Sequence, residues 1–142
     1  MKKSRIEKLI PIANDALKGS RIMGLNNSIK KNYDGKVSGF GVTVALSGLR
    51  PALAMYYNES GDVKTRPILK ALAEIIIDDE EYNKEINKLK SGLTLVEKTE
   101  RSLVELAYKK DMDEKCLPIL KKYVLEATTA LKQVVRTYEL VK

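Results

Sequence analysis

Apolar residues recur along the chain at helical spacing, and no stretch alternates with period two for long enough to predict a strand. Residues 2–18 place Ile6, Leu9, Ile10, Ala13 and Leu17 on one stripe and stop at Gly19, an amphipathic helix that Pro11 should bend near Glu7–Lys8. Thr65 as N-cap and Pro67 in the first turn open a helix whose buried face is Ile68, Leu69, Leu72, Ile75 and Ile76. Asp78 is expected to cap the next, which carries Tyr82, Ile86 and Leu89 and ends at Ser91-Gly92. Leu93, Val96, Leu103, Leu106 and Ala107 predict a helix over 93–109, with Glu97 and Arg101 paired on its outer side. The last helix, from about 114 to 140, runs through Leu117, Leu120, Val124, Ala127, Leu131, Val134, Val135 and Tyr138, with Pro118 tolerated in its first turn.

One segment departs from this amphipathic pattern. Across Val37–Tyr57 the only charge is Arg50, in a chain where 32% of residues are charged. Val37, Phe40, Val44, Ala52 and Met55 form one face and Val42, Leu46, Leu49, Leu53 and Tyr56 a second. A helix apolar all round is buried in a core or in a membrane. Arg50, Pro51 and the intervening Gly, Ser and Thr residues disfavour a bilayer. The expected fold is thus all-α, a single domain over residues 1–142. Five to six helices would surround this central buried helix, kinked at Pro51. Gly39 and Gly41 form a G-x-G without a preceding strand, which fits close approach of another backbone better than a phosphate loop.

Composition narrows the chemistry. The chain has no histidine and one cysteine, Cys116. The commonest general base and metal ligand is therefore missing, and neither a Cys/His or Ser/His pair nor a structural zinc site can be built. Helical nucleases that need an Arg and His motif are excluded likewise. Asp78–Glu81 is the one cluster that carboxylate catalysis or a metal could use, and helix capping accounts for it more simply. No cofactor and no metal are expected. A lone cysteine fits a reducing, cytoplasmic setting. The opening Met-Lys-Lys-Ser-Arg looks like a signal n-region, but Glu7, Lys8, Asn14 and Asp15 leave no apolar stretch behind it, so secretion is not expected.

Net charge is +7, and it is uneven. Residues 1–70 hold thirteen Lys and Arg against five Asp and Glu; residues 71–142 hold thirteen against fourteen. A basic N-terminal half suits a polyanion, nucleic acid before membrane lipid. Residues 19–36 show no sustained period, are rich in turn formers, and carry Arg21, Lys30, Lys31 and Lys36 as a long basic connection. Tyr33 among these lysines could stack on a base, although docking onto the core is the commoner use of a tyrosine. The RNA-binding candidates are Lys2, Lys3, Arg21, Lys30, Lys31, Lys36 and Arg50. Arg50 either reaches a ligand or lays its stem on the core with its head in water.

Ser38-Gly-Phe-Gly41 followed by Ser47-Gly-Leu-Arg-Pro-Ala-Leu-Ala-Met-Tyr56 resembles the signature helix of the small subunit of type III-B CRISPR effector complexes, the Cmr complex. Tyr33, Phe40, Gly41, Ser47, Gly48, Leu49, Pro51, Leu53, Ala54 and Tyr56 match the family pattern. The resemblance extends over about residues 1–76. The last helix, with Ala130-Leu-Lys-Gln-Val-Val-Arg136, lacks the family's tryptophan. The resemblance implies a non-catalytic building block of antiviral defence. It would stack with further copies of itself and lie beside the backbone and large subunits, in contact with guide and target RNA and with no membrane. Lysines would then hold phosphates while base pairing reads the sequence. Two other readings compete: a protein–protein adaptor whose basic face meets an acidic partner without RNA contact, and a carboxylate enzyme at Asp78–Glu81.

Overall fold

The computed structural model describes residues 3–59 and 64–142, and it is mostly helical. Among the described residues there are seven α-helices: α1 (Lys3–Lys18), α2 (Lys31–Ser47), α3 (Leu49–Asn58), α4 (Arg66–Ile77), α5 (Glu80–Leu89), α6 (Ser102–Ala107) and α7 (Leu117–Val135). Two three-residue strands, β1 (Ser28–Lys30) and β2 (Glu139–Val141), pair in parallel, with Ile29 opposite Leu140. Asn58-Glu-Ser-Gly-Asp62 reads as a turn, and its last three residues lie outside the described ones.

The apolar periods of α1, α4, α5 and α7 dictate the packing. α7 lies against α1, α2, α4 and α5, while α4 touches α1, α3, α5, α6 and α7. Eight residues of α4 are buried, among them Ile68, Leu69, Leu72, Ile75 and Ile76. Ile6, Leu9, Ala13 and Leu17 of α1 complete this interior with Leu120, Val124, Ala127 and Leu131 of α7. The helices α4 and α7, rather than residues 37–57, form the centre of the bundle.

The central segment is not one kinked helix. It divides at Gly48, whose φ of 97° and ψ of 164° suit glycine and end α2. Pro51 therefore stands in the first turn of α3, where Ala52 is the first residue to donate back, to the carbonyl of Gly48 (3.3 Å). The missing proline N–H costs nothing there. The division also mixes the two predicted faces, since each contributes buried and exposed residues. Val37, Phe40, Val44, Leu49, Ala52, Leu53 and Tyr56 are buried, but Val42 is 58% exposed, Leu46 82% and Met55 58%.

Gly39 and Gly41 lie against side chains rather than against another backbone. A Cβ on Gly39 would stand 3.1 Å from the Tyr56 hydroxyl, and one on Gly41 would stand 3.7 Å from Thr128 Cγ2 of α7. That Tyr56 hydroxyl donates to the Lys36 carbonyl (2.6 Å), tying α3 back to α2.

Five local expectations shift. Thr65 precedes α4 without capping it; its hydroxyl donates to the Tyr56 carbonyl instead. Asp79, not Asp78, caps α5, accepting from the N–H groups of Glu81 and Tyr82. The predicted helix over 93–109 contracts to α6, because Thr99 and Ser102 hold a turn ahead of it, with Thr99 N donating to Ser102 Oγ (2.8 Å). Arg101 then pairs with Glu105 rather than Glu97. The last helix ends at Val135, and its expected final turn becomes β2.

Candidate nucleic-acid interface

Residues 19–36, read as a long basic connection, are ordered: 31–36 open α2, and 19–30 form a turn that is held in place. Gly24 N donates to the Ser28 carbonyl (2.8 Å), Met23 bridges Ile29, and Asn26 and Asn27 take the left-handed conformation that asparagine tolerates. Ile22 and Ile29 are buried, which pins both ends of this hairpin-like turn. The pairing of β1 with β2 fixes Lys30 opposite Val141.

The helix α2 then begins at Lys31, six residues before the apolar run. Its N-cap is Lys30, which provides no side-chain cap. The first N–H groups of a helix lack intrahelical partners and carry partial positive charge, so this end favours an anion. Lys30, Lys31 and Lys36 are exposed and form no ion pair among the described residues. The one acid of the first turn, Asp34, accepts from Arg136 Nε (2.9 Å) at the end of α7. What remains is an uncapped helix start with three free lysines. Chemically it can hold phosphate groups without reading a base.

Tyr33 does not belong to that surface. It is buried, and burial raises its phenol pKa, opposed by Arg21. It docks the first turn of α2 onto the core.

The other candidates separate from these lysines. Arg21 pairs with Glu100, 79 positions further along the sequence. Arg50 Nε donates to the Ala107 carbonyl and one of its terminal nitrogens to the Met112 carbonyl, both at 2.7 Å. It closes the C-terminal end of α6 and the turn after it, a structural use that a lone charge in an apolar run did not reveal. Lys2 and the side chain of Lys3 lie outside the described residues. Of the seven candidates, the fold brings Lys30, Lys31 and Lys36 to the start of one helix.

Comparison of the chain with protein-family models, with curated proteins and with solved structures finds no match.

The acidic segment carries an internal ion network. Asp79 and Glu126 are buried, and with Glu81 they converge on Arg5 of α1, whose Nε lies 2.7 Å from Glu81 and 3.2 Å from Glu126. Burial raises the Asp79 carboxyl pKa, against the pull of Arg5 and of two backbone N–H groups. Tyr123 lies beneath the Arg5 guanidinium (5.2 Å to the ring centroid) and donates to Glu85 (2.7 Å). Among the described residues no group of three or more His, Cys, Asp or Glu side chains is arranged to hold a metal ion. No helix among them is long and apolar enough to cross a membrane.

The surface that sequence reasoning missed is apolar. Val42 and Leu46, one turn apart on α2, face outward beside a groove of about 330 Å³ that includes Gly41, Ala45, Leu125 and Thr128. Their i, i+4 spacing was legible, but an uncharged helix gives no sign of which apolar face is covered.

Proposed function

We propose that the protein is a non-catalytic small subunit of a type III-B CRISPR RNA-targeting effector complex. It stacks with copies of itself along the guide-bearing backbone and braces the target RNA in antiviral defence. The observation that carries the RNA contact is the uncapped start of α2 with Lys30, Lys31 and Lys36 unpaired around it. Such an arrangement grips phosphates and is indifferent to sequence, which suits a protein whose specificity comes from base pairing in the guide. The absence of histidine fits a role without catalysis. The outward Val42 and Leu46 supply an apolar face for a neighbouring protein.

The test is reconstitution with type III-B backbone and large subunits, guide RNA and a crosslinkable target RNA. The proposal expects co-assembly in several copies per complex and crosslinks to the target that map to residues 30–36. Failure to co-assemble contradicts the family reading.

The second reading is an adaptor that binds an acidic protein partner without touching RNA. The outward Val42 and Leu46 serve this reading as well as the first, and contact with RNA is what separates the two. Co-assembly without crosslinks to RNA would select it.

A further inference from the structure

A groove of about 760 Å³ lies elsewhere, between α3 and α6. Its apolar floor is Ala54, Met55 and Val104, and two aromatic rings, Tyr57 and Tyr108, line it. Met55 and Tyr108 are 58% and 52% exposed. Cations gather on the rings. Arg66 Cζ stands 4.1 Å from the Tyr57 centroid and Arg101 Cζ 5.3 Å, while Arg50 approaches Tyr108 at 5.8 Å.

The polar groups around this floor are of both kinds. Asn58 can donate and accept, Arg101 donates, and Glu105 accepts. Glu105 sits 3.2 Å from Arg101 Nε, so an acidic peptide reaching for the arginine would also meet a carboxylate. A nucleotide can offer a base N–H donor to Glu105 and carry its phosphate to the terminal nitrogens of Arg101, away from the Nε that faces Glu105. The size falls within the range of small-molecule sites.

We propose that the groove between α3 and α6 binds a nucleotide, with an amino-bearing base, adenine or cytosine, on the apolar floor beside Tyr108 and its phosphate at Arg101. Glu105 accepts from the exocyclic amine, and Asn58 meets the base edge. The nucleotide is either free or an unstacked residue of a single strand. This site shares no lining residue with the start of α2 and does not depend on the lysines there.

The test is calorimetric titration of the full chain with AMP, CMP, UMP and inorganic phosphate. AMP and CMP should bind saturably at one site, and UMP about tenfold more weakly because its one edge donor, the N3 imino, lies between two carbonyl oxygens that the Glu105 carboxylate repels. Phosphate alone should be weaker than any of them. Tyr108→Ala and Arg101→Ala should each abolish most AMP binding, and Met55→Glu, a change at an exposed side chain outside the ion pairs, should block the floor. Glu105→Gln should level the preference between AMP and UMP. Lys30→Glu with Lys31→Glu should leave AMP binding unchanged. A short oligoadenylate that binds more tightly than AMP, and is equally sensitive to Tyr108→Ala, assigns the source to a strand; equal affinity assigns it to free nucleotide. The proposal is overturned if neither AMP nor CMP binds saturably, if UMP binds as tightly as both, or if folded Arg101→Ala and Met55→Glu variants bind AMP like the parent.

Discussion

Arg50 Nε donates to the carbonyl oxygen of Ala107 across 2.7 Å, joining the first turn of α3 to the last turn of α6. The same guanidinium reaches the Met112 carbonyl, and Tyr108 Oη donates in return to the Arg50 carbonyl (3.0 Å). Helix carbonyls at a C-terminus are orphaned, and a cation is the side chain that best satisfies them. Arg50→Met should therefore destabilise the protein by about 2–4 kcal/mol, since two charge-assisted bonds are lost and two carbonyls are left without them. Arg50→Lys should recover only part, for want of the planar fork. Chemical denaturation measures both. RNA affinity of the folded Arg50→Met protein should match the parent.

The buried network at Arg5 makes a harsher prediction. Removing one partner of a buried ion pair leaves an uncompensated charge and costs about 3–5 kcal/mol. Arg5→Met strands Asp79 and Glu126 together, and burial already raises the Asp79 carboxyl. Arg5→Met with Asp79→Asn should be less destabilised than the sum of the single changes, a coupling that a double-mutant cycle in denaturant would read.

Gly48 supports α2 and α3 by conformation rather than by space. A Cβ there would meet only Pro51 Cδ at 3.7 Å, but its φ of 97° is one that L side chains rarely adopt. Gly48→Ala should cost about 1–3 kcal/mol. Gly35→Ala, within α2 and with open space around it, should be neutral or slightly stabilising.

Alkaline pH should open the fold. Burial raises the phenol pKa values of Tyr82 and Tyr56, and burial with the Glu85 contact raises that of Tyr123; Tyr33 follows its own burial. A phenol whose folded pKa is raised favours the folded state fully below its unfolded value near ~10, and that contribution is lost as pH climbs through the folded value. These four tyrosines should thus ionise late and together with loss of helix. Phenolate absorbance followed beside far-ultraviolet circular dichroism checks this; early ionisation of all seven tyrosines in a helical protein would contradict it.

Much of this fold was legible because four helices have one buried stripe each. The stripes of α1, α4, α5 and α7 appear in the structure, although Asp79 rather than Asp78 caps α5, Thr65 caps nothing and α7 ends at Val135. What stayed hidden has physical causes. A three-residue strand such as Ser28–Lys30 is too short for period two to register. Val37–Tyr57 was apolar on every side, so periodicity could neither find the break at Gly48 nor tell covered Leu53 from bare Leu46. Of the site, the lysines were visible as charge, but that Arg21 and Arg50 are spent on Glu100 and on carbonyls depends on residues more than fifty positions away.

The account rests most directly on the lysines at the start of α2. The deciding measurement is the affinity of the full chain for a single-stranded RNA across a range of salt, for the parent and for the Lys30→Glu, Lys31→Glu, Lys36→Glu variant. Each phosphate neutralised on a single strand contributes about −0.7 to the slope of log affinity against log salt. The account predicts binding that weakens steeply with salt in the parent and a slope shallower by about 2 in the folded variant. Equal slopes, or no binding by the parent at low salt, would contradict it.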